Sequence, residues 1–149
     1  MRNIALLLVL LMSSSTQLQA SEHGLGSLES LKWNHRVLLV YAQEPSVSTA
    51  LSNLEALAAD IEDRDLAWFL LAKNEVHTNY KAGLDRELHE QLLERYFTPA
   101  PEESWVILIG KDGGVKSKGP DLDLEALFDL IDQMPMRKAE MRRAGAEPD

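Results

Sequence analysis

The sequence predicts an α/β domain of three layers, with one mixed, four-stranded sheet covered by helices on both faces, in the order β-α-β-α-β-β-α. Three observations predict it. Two short, continuous apolar runs, 35–42 and 66–72, flank a segment whose apolar residues recur at helical spacing. A third apolar run, 105–110, enters a Lys111-Asp112-Gly113-Gly114 turn and returns as a short strand carrying lysines. Two further stretches, after Asp85 and after Asp121, also have helical periodicity. A run that is apolar at every position, rather than at alternate ones, suits a strand buried on both faces, so helices must cover both sides of the sheet.

Taken in order, residues 1–20 open with Arg2, continue as an apolar run over 4–12 and end in small and polar residues before Ser21. That run is too short to cross a bilayer, and the pattern is that of a secretory signal peptide with cleavage near Ala20. A membrane-retained N-terminal anchor is the alternative. No cysteine follows the cut to carry a lipid. The expected location is therefore exported, periplasmic or secreted. Residues 21–30 are polar and contain glycine, as a flexible leader would. The domain is expected over 31–135 and a polar C-terminal tail over 136–149.

Leu28, Leu31 and Trp33 are expected to pack against the body. The first strand, 35–42, breaks at Gln43-Glu44-Pro45-Ser46, where Ser46 is the expected N-cap. One helix should follow, with Val47, Ala50, Leu51, Leu54, Leu57, Ala58 and Ile61 on its apolar face. It ends in the charged turn 62–65, and 66–72 forms the second strand. Strand, helix and strand with short links make a right-handed parallel unit. Residues 73–83 lack periodicity and read as a loop. Asp85 is the expected cap of a helix with Leu84, Leu88, Leu92 and Tyr96 in line, ended by Pro99 and Pro101. Asp112-Gly113 predicts a type I′ hairpin turn. The return strand 115–118 carries Lys116 and Lys118, as an edge strand should. Asp121 is the expected cap of the last helix, with Leu124, Leu127, Phe128, Ile131 and Met134 on one face, and Pro135 stops it. The tail holds Arg137, Lys138, Arg142 and Arg143 and reads as a short amphipathic helix or as disordered.

Composition excludes several classes of function. The chain has 149 residues, room for one domain, and a formal charge of −9. An acidic protein repels a phosphate backbone, which argues against nucleic acid as a partner. There is no cysteine, so thiol exchange, thiol peroxidation and thiolate metal sites are excluded. His23, His35, His77 and His89 are dispersed, and no metal or other cofactor is expected. Asp121, Asp123, Glu125, Asp129 and Asp132 partly match calcium-loop spacing. Ala126, however, stands where that loop needs glycine, and the helical periodicity explains the residues better. Gly113-Gly114-Val115-Lys116-Ser117 has the wrong glycine spacing for a phosphate loop and opens a strand rather than a helix.

Particular stretches carry a resemblance. They are Leu31-Lys32-Trp33 with 36–40; 108–116; 127–132; and Met134-Pro135-Met136-Arg137 with Glu140-Met141-Arg142. Together they resemble an uncharacterised bacterial family, the DUF4174 type, itself similar to thioredoxin-like domains of some animal extracellular-matrix proteins. The resemblance covers about 28–143 and implies a thioredoxin-like fold and export. It implies no activity, substrate or catalytic residue. Redox-active thioredoxins carry Cys-x-x-Cys between the first strand and first helix, and a cis-proline before the hairpin strand. The corresponding places here are 43–48 and Ser104-Trp105.

The preferred expectation is an exported, non-catalytic interaction module, with a protein partner meeting Lys111, Asp112, Gly113, Gly114, Lys116 and Arg137. The first four and Lys116 lie in the hairpin. The lysines, including Lys118, together with Arg137 either form one basic patch or serve only as edge-strand protection and helix-end charge. The alternative is a non-thiol enzyme or small-molecule binder with a site near the first helix N-terminus, built from Arg36, Glu44, Ser46 and Ser48.

Overall fold

The computed structural model describes residues 24–145. The expected signal peptide, its cleavage near Ala20, His23 and the last four residues lie outside the described residues. The elements are β1 (Arg36–Tyr41), α1 (Ser46–Ala56), α2 (Ala58–Asp63), β2 (Leu66–Leu71), β3 (Val76–Thr78), α3 (Arg86–Tyr96), β4 (Trp105–Ile109), β5 (Val115–Gly119), α4 (Leu124–Asp132) and α5 (Pro135–Ala144). One sheet runs in the order β3-β2-β1-β4-β5. β1 and β2 are parallel, with Leu38 beside Trp68, and β4 is antiparallel to β1, with Leu39 opposite Ile107. β5 is antiparallel to β4, and β3 to β2. A parallel pair joined through helix, an antiparallel hairpin beside its first strand and a helix after the hairpin are the thioredoxin-like arrangement.

Every residue of β1 and β2 is buried, as the unbroken apolar runs require. Alternation then sends each strand's residues to opposite cores. Leu38, Val40, Trp68, Leu70 and Leu108 pack with Leu54, Ile61, Leu127, Phe128 and Ile131 under α1, α2 and α4. Leu39, Tyr41, Phe69, Leu71, Ile107 and Ile109 pack with Leu31, Leu88, Leu92 and Phe97 on the α3 side.

The structure differs from expectation in several places. The sheet has five strands, because part of the segment read as a loop forms β3. Beyond β3, the Asn79 side chain takes over the edge of β2. It accepts from Trp68 N at 2.9 Å and donates to Leu66 O at 3.0 Å, so an amide side chain completes the ladder without a strand residue. The first helix is two, divided at Leu57 (φ −109°, ψ 27°), and both pieces still bury Leu54 and Ile61 completely. Ser46 does not cap α1; no side chain does, and Ser48 Oγ donates back to Pro45 O at 3.2 Å. The cap of α4 is Asp123, not Asp121, because buried Leu124 is already the first helical residue; Asp123 Oδ1 accepts from Ala126 N at 3.0 Å. Asp85 caps α3 as expected, accepting from Leu88 N at 2.7 Å.

At the ends of the described residues, α5 is the helix that was one of the two expectations for the tail, and 25–31 packs against the body. Leu25 is buried and bridges to Leu84, and Ser27 caps a 3-10 turn over Leu28–Leu31. Leu31 is buried, but Trp33 is 66% exposed at φ 68°, so it does not join the core. Pro135 does more than end α4. It is the first residue of α5, where its missing N–H removes no helical bond.

The hairpin turn is not type I′. Gly113 has φ 80° but Asp112 is not at positive φ, and Gly113 N donates to Gly110 O at 2.9 Å. This is a type I turn followed by a left-handed glycine. The pairing then shifts: Leu108 lies opposite Ser117 but Ile109 opposite Val115. Lys116 is the extra residue.

Candidate functional site

The sequence offers two places for a site, at opposite ends of β1. Beyond its C-terminal end lie 43–48, the position of the thiols in redox-active thioredoxins. Glu44, Ser46 and Ser48 are exposed there. Gln43 Nε2 donates to Tyr41 Oη at 3.1 Å and to Pro101 O at 3.0 Å, tying the loop to the segment before β4. Arg36 does not join them. It starts the strand, about 16 Å away at 3.3 Å per residue, so the expected set Arg36, Glu44, Ser46 and Ser48 is not brought together.

At the other end, Arg36 enters an ionic cluster. It is 1% exposed. Its Nη1 donates to Arg64 O at 2.8 Å, and Nη1 and Nη2 clasp the Glu140 carboxylate, each at 3.2 Å. Lys111 Nζ lies 2.7 Å from Asp65 Oδ2 and 2.8 Å from Glu140 Oε1. Arg64 forms a second fork on Asp132, at 3.1 and 2.7 Å, with its guanidinium 4.5 Å from the Phe128 ring centre. Arg137 Nε donates to Asp132 Oδ1 at 3.0 Å, and its other nitrogens bond to the Asp63 carbonyl and carboxylate. Four cations and their carboxylates thus tie the start of β1, the end of α2, the hairpin, α4 and α5 together.

The physical logic is that of buried charge. Arg36 and Lys111 stand at the ends of apolar strands, where backbone direction carries them under α5. Removing a cation from water costs several kcal/mol unless carboxylates and carbonyls satisfy it, which these do. The carboxylates respond. Burial opposes ionisation of Glu140, but the Lys111 and Arg36 hydrogen bonds outweigh it and hold its pKa below the ordinary value. Burial likewise opposes ionisation of Asp132, and Arg64 and Arg137 outweigh it. Burial alone would lower the pKa of Arg137; its bonds to Asp132 and Asp63 raise it. Asp112 is held low chiefly by Lys116, 2.7 Å away, and by the Gly114 N–H.

This arrangement changes the expected basic surface. Lys111 (8% exposed) and Arg137 (7%) are spent on internal pairs, and Lys116 is held by Asp112. What remains is a pocket of about 310 Å³ lined by Arg36, Gly110, Lys111, Asp112, Lys116, Met134, Pro135 and Met136. Gly113 and Gly114 shape the turn beside it. Gly113 packs on the Lys32 side chain, and Lys111 O accepts from Trp33 N at 2.7 Å. Sequence reasoning missed Arg64, Asp65, Asp132 and Glu140 as one unit. The available signal was the pair of cations terminating otherwise apolar strands.

A second surface lies along β5, the last strand of the sheet. Val115 is 45% exposed. A groove of about 570 Å³ runs beside it, lined by Tyr96, Pro99, Pro101, Trp105, Ile107, Val115, Arg95 and Lys118. Neither Arg95 nor Lys118 has an ion-pair partner among the described residues. Among the described residues, no helix is long and apolar enough to cross a membrane.

Fold and site together define a thioredoxin-like domain without thiol redox chemistry: the sheet is intact and the chain has no cysteine. The chain belongs to the family described as a domain of unknown function, DUF4174, whose model matches residues 27–140. It is also similar to coiled-coil domain-containing protein 80 of Danio rerio, 32% identical over 93 residues. That match spans 61% of this chain but only 11% of the zebrafish protein. Among solved structures it is similar to thioredoxin peroxidase I of Plasmodium yoelii. The TM-score is 0.49 and the identity 16%, covering 75% of this chain and 79% of that one.

Proposed function

We propose that the protein is an exported, non-catalytic interaction module that receives an extended segment of a partner protein on the outer edge of β5. The observation that carries this reading is that, among the described residues, β5 ends the sheet with one edge unpaired, beside a groove floored by aromatic and proline side chains. An extended chain gains main-chain hydrogen bonds on such an edge, and alternate side chains enter the groove. Arg95 and Lys118 at the groove favour an acidic segment. Export rests on the sequence of residues 1–20.

The test uses the full chain expressed in a bacterial host with a periplasm. The mature protein should be recovered from the periplasm, with an N-terminus near Ser21 by mass spectrometry. The purified protein and a Val115→Asp/Lys118→Glu variant are then used to capture partners from periplasmic extract. A partner held by the wild type and lost by the variant, with slowed amide exchange at β5 in the complex, is the expected result. Identical partner sets would remove the edge as the surface, and cytoplasmic retention would remove export.

A further inference from the structure

We infer that the protein forms a two-fold dimer in which the outer face of α5 of each copy lies in an acidic, partly apolar groove of the other. The inference is independent of the edge-strand reading, because neither surface includes β5.

The groove has a volume of about 890 Å³ and runs between α1–α2 and the edge of the sheet at β2 and β3. Leu51, Ala58 and Trp68 give it apolar surface, and Glu55, Glu62 and Asp65 give it three carboxylates. Among the described residues, no lysine or arginine lines it. Asp65 holds Lys111, but Glu55 and Glu62 are exposed and have no ion-pair partner among the described residues.

The outer face of α5 is the complement. Of its ten residues only Arg137 is buried, and ion pairs hold the helix to its own domain: Glu140 to Arg36 and Lys111, Arg137 to Asp63 and Asp132. A helix this short draws its stability from packing an apolar face, and α5 buries none within its own copy. Its outer side carries Lys138, Met141 and Arg142, whose spacing sets them on one stripe. Met141 is 38% exposed. Lys138 and Arg142 are exposed and have no ion-pair partner among the described residues. Two cations flanking a flexible thioether thus match two carboxylates flanking apolar surface. The chain's formal charge of −9 repels a second copy, so association needs a local reversal of sign, and this stripe supplies it.

The two surfaces are neighbours. Arg137 bonds to Asp63, the residue after Glu62 of the groove. Asp65, which lines the groove, shares Lys111 with Glu140 of α5. A two-fold axis between groove and helix therefore sets each α5, about 15 Å long, against the other copy's groove. The same contact is made twice and the assembly closes as a dimer.

The experiment is sedimentation equilibrium of the purified protein at about 150 mM salt, where charges more than about 8 Å apart are screened. A reversible monomer–dimer equilibrium with a micromolar dissociation constant is expected. Glu55→Lys/Glu62→Lys and Lys138→Glu/Arg142→Glu should each weaken it at least tenfold, because like charges then meet. All four changes in one chain leave the formal charge unchanged and reverse every pair, so dimerisation should return to within threefold of wild type. Val115→Asp/Lys118→Glu should dimerise as wild type does, which separates this surface from the β5 edge. Circular dichroism checks that each variant retains the fold. If a reversed pair does not, Glu55→Gln/Glu62→Gln replaces it, with at least threefold weakening expected. The inference is overturned by a wild type still monomeric at about 300 μM, or by species that grow beyond the dimer. It is also overturned if either double reversal leaves association unchanged, or if the fourfold variant stays monomeric.

Discussion

Glu140→Gln isolates the ionic cluster. The change preserves shape and leaves one amide oxygen as acceptor, but it removes the charge that faces Arg36 and Lys111. Breaking a buried pair from one side costs about 3–5 kcal/mol, because the partner remains buried and uncompensated. Here Lys111 keeps Asp65 and Arg36 keeps the Arg64 carbonyl, so the lower end, about 3 kcal/mol, applies. The assay is urea unfolding by circular dichroism, with an unchanged denaturant slope as the sign that only native-state stability has moved. The pH dependence gives the sharper reading. The folded-state pKa of Glu140 is lowered, so its stabilisation is complete above the unfolded value, near about 4.3, and fades as pH falls through the lower folded value. The gap between wild type and variant should therefore be full at neutral pH and close in acid, where both side chains are neutral. A loss under about 1 kcal/mol at neutral pH, as for an exposed pair, would refute the reasoning. So would a gap that persists in acid.

Five further substitutions test three local readings. Asn79→Ala leaves the Trp68 N–H and Leu66 carbonyl of β2 without their side-chain partner; about 1–3 kcal/mol should be lost, with faster amide exchange at Trp68. Asp123→Ala should cost about 1 kcal/mol in thermal unfolding, and Asp121→Ala less than about 0.5 kcal/mol, because only Asp123 caps α4. Gly113→Ala should cost about 1–2 kcal/mol of unfolding free energy from its φ of 80°, whereas Gly114→Ala, with a Cβ in ordinary contact at 3.4 Å or more, should lie within about 0.5 kcal/mol.

The sequence by itself determined four strands of the sheet and the absence of thiol chemistry. Apolar runs such as 37–42 and 66–72 bury on both faces wherever they fold, and a missing cysteine cannot be supplied by packing. Alternate residues of β1 were bound to face two cores because side-chain direction along a strand has a period of two. The cap of α3 was legible too, since Asp85 acts within three residues of its own position. The tertiary structure decided what depends on distant partners. Asn79 could be recognised as an edge partner of β2 only once Leu66 and Trp68 lay beside it. Asp123 rather than Asp121 caps α4 because Leu124 must be buried, which is a property of the core. The fate of the cations was the largest matter left to the fold. Arg36, Lys111 and Arg137 look alike in sequence to any surface cation. Only the approach of Glu140, 104 residues beyond Arg36, to Arg36 and Lys111, and of Asp63 and Asp132 to Arg137, turns them into a buried cluster with a pocket beside it. Charge is long-ranged and side chains are flexible, so the partner of an ion is settled by where the chain returns, not by what stands next to it.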